Sequence, residues 1–64
     1  MYVYLLESVK QPGFFLAKNG YDYLVTRNIE HMAKLYCPRD AARLRGRYTI
    51  VQFEVRKFEL RRQV

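Results

Sequence analysis

Catalytic side chains are almost absent from this sequence. It has one histidine (His31), one cysteine (Cys37), one serine (Ser8) and no tryptophan. A lone cysteine excludes an intramolecular disulfide and any multi-cysteine zinc site. A Cys–His nucleophilic pair would also need an orienting third group and an oxyanion site. His31 and Cys37 are spaced to fall on different faces of a helix, and Pro38 follows directly. The plain reading is that His31 is a polar residue near a helix start and Cys37 a small, partly buried residue before a helix. The carboxylates Glu7, Asp22, Glu30, Asp40, Glu54 and Glu59 form no metal-ligand or acid/base motif. The three glycines are isolated, so no loop of the phosphate-cradling type exists. The expectation is a protein that is not an enzyme and uses no cofactor or metal.

Long apolar runs are missing too. No stretch approaches the roughly 20 residues of a membrane span. The first residues are apolar and then charged at Glu7, without a basic leader, which is not a signal-peptide pattern. These features predict a soluble, cytoplasmic protein with no membrane partner, and a single thiol suits a reducing compartment.

Enough is present for a core. The chain has 64 residues, half of them apolar and 16% aromatic. That density of rings argues against disorder, and the length predicts one compact domain over residues 1–64.

Residues 2–7 are aromatic, β-branched and aliphatic, and predict a first strand. Pro12-Gly13 signals a turn. Residues 14–18 predict a second strand, Asn19-Gly20 a tight turn, and residues 21–25 a short third strand. Thr26 or Asn28 supplies a helix cap. Ile29, Met32, Leu35 and Tyr36 follow at helical spacing and predict a buried stripe. Pro38 suits the first turn of a second helix over residues 38–45. Ala41 and Leu44 would face inward, and Gly46 would end that helix in a left-handed conformation. Residues 48–60 predict a long last strand. Its apolar register switches from Val51, Phe53 and Val55 to Phe58 and Leu60, which a bulge near Arg56-Lys57 or two shorter strands would explain. The fold class is therefore α+β: a small antiparallel sheet of three to four strands with a helix, or two short helices, on one face, in the order β-β-(β)-α-α-β.

This element order, together with Gly13-Phe14-Phe15-Leu16-Ala17-Lys18-Asn19-Gly20, Ala33-Lys34-Leu35-Tyr36 and Arg39-Asp40-Ala41-Ala42-Arg43-Leu44, resembles small accessory proteins of bacteriophages and prophages. The resemblance implies a viral or mobile-element origin and a role modulating a host protein or a nucleic-acid process. It assigns no role to any single residue.

Charge is the strongest functional signal. Residues 1–32 balance three basic groups against three acidic ones. Residues 33–64 hold nine basic groups against Asp40, Glu54 and Glu59, and so carry the whole net charge of +6. A field this lopsided attracts polyanions or an acidic surface. Arg39, Arg43, Arg45 and Arg47 crowd the predicted second helix and its exit, with Arg39 and Arg43 one turn apart. Arg56, Lys57, Arg61 and Arg62 form a second group. Arginine's planar fork suits phosphate or carboxylate. The alternative is a solvated surface that aids solubility.

Aromatic residues supply a second signal. If the helices cover Val3, Leu5 and Phe15, then Tyr2, Tyr4 and Phe14 lie on an open sheet face, where rings beside arginines stack unpaired bases or anchor a protein partner. The alternatives are that the rings are core, or that the sheet makes a homodimer. The expected partner is nucleic acid, with an acidic protein surface as the second reading. Arg43→Glu should then weaken binding more than Lys18→Glu.

Overall fold

The computed structural model describes residues 1–20 and 23–60. Strand β1 (Tyr2–Ser8) is central. Its partner β4 (Phe53–Glu59) runs antiparallel in unbroken register from Tyr2↔Glu59 to Ser8↔Phe53. On its other side lies β2 (Phe15–Leu16), followed by β3 (Val25–Thr26), so the antiparallel sheet has the order β3-β2-β1-β4. A strand with neighbours on both edges and cover on both faces needs apolar residues at most positions. That explains why the opening of the chain is continuously apolar rather than alternating.

The turn after β1 is tied from both ends. Gly13 takes a positive φ of 90°, which costs glycine little. Its amide donates to Glu7 Oε2 at 2.9 Å, and the Gln11 amide donates to Ser8 Oγ at 3.1 Å. Asn19 and Gly20 both adopt left-handed backbone angles, φ 53° and 75°, as the doublet predicts. They sit in a 3-10 turn (Lys18–Gly20) within a longer loop, so the third strand starts at Val25. The predicted third strand over residues 21–25 begins with Tyr21 and Asp22, which lie outside the described residues.

The helix expected after Thr26 or Asn28, with Ile29, Met32, Leu35 and Tyr36 along it, shortens to a single 3-10 turn, Ile29–His31. Asn28 caps it by accepting from the Glu30 amide at 3.0 Å. The chain then extends. Met32 bridges Ala17, the Ala33 amide donates to the Leu16 carbonyl, and Leu35 and Tyr4 exchange both backbone bonds at 2.7 and 3.1 Å. The short β2 leaves the edge of β1 vacant at Tyr4, and these residues fill it. Pro38 also cannot donate to the carbonyl of Lys34, which removes one helical bond. The predicted stripe is accordingly not a stripe: Met32 is buried, while Ile29 is 63% and Tyr36 62% exposed.

Helix α1 (Pro38–Arg45) forms as expected, with Pro38 in its first turn and Asp40 near its positive end. Gly46, however, is right-handed (φ −66°, ψ −15°). The amides of Arg47 and Tyr48 bond back to Leu44 and Arg45, so the chain leaves through further tight turns that need no positive φ.

The bulge predicted in the last strand does not exist: the β1–β4 register is unbroken. Phe53 and Val55 face one side, and Phe58 faces the other, because both faces carry an apolar cluster. On one face α1 covers Leu6, Leu16 and Phe53, with Leu44, Tyr48, Val51 and Val55 packed around them. Leu6 is 1% exposed and Ala41 is fully buried. On the opposite face Val3, Leu5 and Met32 cluster beneath Phe15, whose ring meets Phe58 edge-on at 6.1 Å. Among the described residues no helix is long and apolar enough to cross a membrane.

Candidate nucleic-acid interface

Ala41 and Leu44 fix the inward side of α1, and the helical period of about 3.6 residues places the arginines around it. Arg39 and Arg43 point away from the sheet and are exposed. Arg43 and Arg47, with Asp40, Leu44 and Leu35, line a shallow hollow on one flank. Arg45 emerges on the other flank, beside Val9, Tyr48, Gln52 and Glu54. Arg39 and Arg43 thus share the outer side of α1, Arg47 joins Arg43 at one hollow, and Arg45 lies on the other flank. Arg43 and Arg45 lie in the last turn of α1, where positive charge is favoured by the helix dipole.

Among the described residues, none of these four forms an ion pair. Arg56 is different. It lies on the face opposite α1, donating from Nε to Glu7 and from Nη2 to Glu54, each at 2.7 Å. The guanidinium hydrogen bond, together with the Gly13 amide, holds the Glu7 carboxyl below the usual glutamate range. The two carboxylates reciprocally hold Arg56 more firmly protonated. Arg56 is therefore paired within the molecule, and of the predicted second basic group only Arg56 and Lys57 lie among the described residues, on opposite faces of β4. Lys57 is on the helix-bearing face, with Nζ 4.0 Å from the centre of the Tyr2 ring. Arg61 and Arg62 lie outside the described residues.

The predicted aromatic platform is not assembled as expected. The register puts Tyr2 and Tyr4 on the same face as Leu6, Phe53 and Val55, which is the face α1 covers. The helix-free face carries Val3, Leu5, Phe15 and Phe58 instead. Val3 and Leu5 are nevertheless buried, because Met32 and the two phenylalanines close over them. Leu6, on the even-numbered side of β1, belongs to the cluster against which Leu44 of α1 packs. Tyr2 stays partly exposed under Lys57. Phe14 is half-buried, with the Arg27 guanidinium 5.5 Å from its ring centre.

Two basic residues gain importance from the fold. Lys18 and Lys34 rim a larger hollow whose wall includes Ala17, Met32, Leu44 and Tyr48. Leu44 is shared with the Arg43–Arg47 hollow, so the two lie on either side of one side chain. Lys34 Nζ donates to the Ile29 carbonyl at 2.7 Å, and Tyr48 packs edge-on against Phe53 at 5.2 Å. Nothing local in the sequence marks Lys18, since its approach to α1 depends on the bridge between Ala17 and Met32. Lys18 is for that reason a poor control for Arg43, and Lys10, in the turn after β1, is a better one.

Cys37 precedes α1 without capping it through its side chain, and His31 ends the 3-10 turn. Among the described residues no three His, Cys, Asp or Glu side chains group as metal ligands would. Comparison with known protein families, curated proteins and solved structures finds no match.

Proposed function

We propose that this chain is a small, non-catalytic binding protein that associates with nucleic acid through Arg39, Arg43 and Arg47, with Arg45, Lys18 and Lys34 flanking them. The observation that carries this reading is the contrast in pairing. Arg56 has two carboxylate partners, whereas the arginines of α1 and its exit have none among the described residues. An unpaired guanidinium keeps its donor fork for phosphate oxygens. The lysine-rimmed hollow beside Leu44 offers apolar wall and the Tyr48 ring next to that phosphate track. This combination suits an unpaired base better than a closed duplex. Such a partner and a free thiol both fit the cytoplasm.

One observation favours a second reading, a phage-type modulator that binds a host enzyme or defence complex. Arg47 also borders a hollow formed with Leu24, Tyr48 and Ile50, and Ile50 is 89% exposed. Arginine beside exposed apolar side chains is typical of protein interfaces.

Titration with short single- and double-stranded DNA and RNA, at low and physiological salt, separates the two. Binding that persists at physiological salt and favours single strands supports the nucleic-acid reading. Binding confined to low salt rejects it, because generic counterion release then accounts for all the affinity.

A further inference from the structure

Among the described residues, strand β4 is an edge of the sheet, with no strand on its outer side. Two backbone bonds fix which of its groups point outward. The Leu60 amide donates to Met1, and the Val9 amide donates to Gln52. Both pairs continue the β1–β4 register, in which hydrogen-bonded and non-hydrogen-bonded pairs alternate. Residues 54, 56 and 58 therefore bond inward to β1. The amides and carbonyls of Phe53, Val55, Lys57 and Glu59 face out. The strand has no proline or bulge, two of the usual protections of an edge, and its protection is limited to the charges of Glu54, Arg56, Lys57 and Glu59.

We infer that this edge pairs with the same edge of a second copy, antiparallel, about a two-fold axis at Val55. Sheet geometry restricts the axis, because residues opposite each other in such a pair share a face. An axis at Arg56 sets the two Arg56 side chains against each other, and one at Lys57 does the same with lysine. Both arrangements are destabilising. An axis at Glu54 or Phe58 pairs only the end of the strand. With the axis at Val55, residues 53–57 of one copy lie along 57–53 of the other. Glu54 then opposes Arg56 of the second copy on one face, twice over by symmetry, and Val55 meets Val55 on the other. The existing Arg56–Glu54 bridge becomes part of an alternating four-charge ring. The outward groups of residues 53, 55 and 57 supply about six inter-chain hydrogen bonds, two per facing pair.

The axis is normal to the sheet, so both α1 helices fall on the same side of one continuous sheet. If the nucleic-acid reading holds, the two arginine surfaces then face one ligand together. The dimer itself does not depend on that reading, since it forms without nucleic acid.

Sedimentation equilibrium of the full chain, with no nucleic acid present, tests the inference. The expected result is a concentration-dependent mass approaching twice the 7.8 kDa of one chain. Lys57→Pro removes an outward amide and no inward bond, and should hold the mass at one chain with an unchanged circular-dichroism spectrum, whereas Lys57→Ala still dimerises. Glu54→Arg should weaken the dimer several-fold by setting it against Arg56 of the other copy. Adding Arg56→Glu to it should restore association, because the opposed pairs are again complementary. A wild-type chain that remains a monomer at every soluble concentration overturns the inference. So does a dimer that Lys57→Pro and Glu54→Arg leave unchanged.

Discussion

The two faces of the sheet differ in what covers them and in how they treat charge. Under α1, Leu6, Leu16 and Phe53 are sealed by a helix whose outer side carries arginines without acid partners among the described residues. On the opposite face, among the described residues, Val3 and Leu5 are sealed by Met32 and two phenylalanines, one of them, Phe58, 43% exposed. Beside them Arg56 is held between Glu7 and Glu54. The first face buries its core behind a rigid element and leaves its charge available. The second neutralises its charge to support a thinner cover. Under the proposed function, the same residue type would serve binding on one side and folding on the other.

The largest way to break this contrast is in the core. Leu6→Ala should destabilise the protein by about 2–5 kcal/mol, toward the upper end because α1 cannot collapse into the cavity. Urea denaturation reads this directly. Leu5→Ala, on the other face, should fall toward the lower end of that range, since Met32 and Phe58 are free to settle into the space. A larger loss at Leu5 would reverse the ranking of the two cores.

A binding measurement sharpens the charge side. Arg43→Glu should weaken nucleic-acid affinity more than Lys10→Glu, which carries the same change of charge to the turn after β1. Equal losses would reduce the basic half to a solubility feature. The smallest effect is on acid stability. The Glu7 carboxyl titrates below its ordinary value in the folded protein. Its contribution is therefore complete above the unfolded value of about 4.3 and disappears as pH falls through the folded value. Glu7→Gln should lower stability at neutral pH, and its difference from the wild type should shrink below about pH 4.3. A difference that stays constant with pH would show that Arg56 gains nothing from the Glu7 charge.

Much of this architecture is legible in residue order. The opening strand, the turns at Pro12-Gly13 and Asn19-Gly20, the α1 helix after Pro38 and the last strand, which starts at Phe53 rather than at Tyr48, all follow from local chemistry. Two features do not. Residues 32–35 carry a helical spacing, yet they extend because a vacant strand edge lies beside them, and that vacancy arises from residues far away in the chain. The switch from Val55 to Phe58 implies a bulge only if the sheet has one buried face, and it has two. The arginines of α1 can be located as a group, since helix spacing alone gathers Arg39 and Arg43. The pairing of Arg56 is not visible in the same way, because its partner Glu7 is 49 positions away and meets it only through the β1–β4 register. Lys18 is hidden for the same reason.

The most direct test compares Arg43→Ala with Arg56→Ala by the slope of log affinity against log salt on one short single-stranded oligonucleotide. Removing a side chain that neutralises one phosphate of a single strand makes that slope shallower by about 0.7. The account requires this change for Arg43→Ala and an unchanged slope for Arg56→Ala. Equal changes for both, or none for Arg43→Ala, would contradict the division between an arginine surface that binds and an arginine that holds the fold.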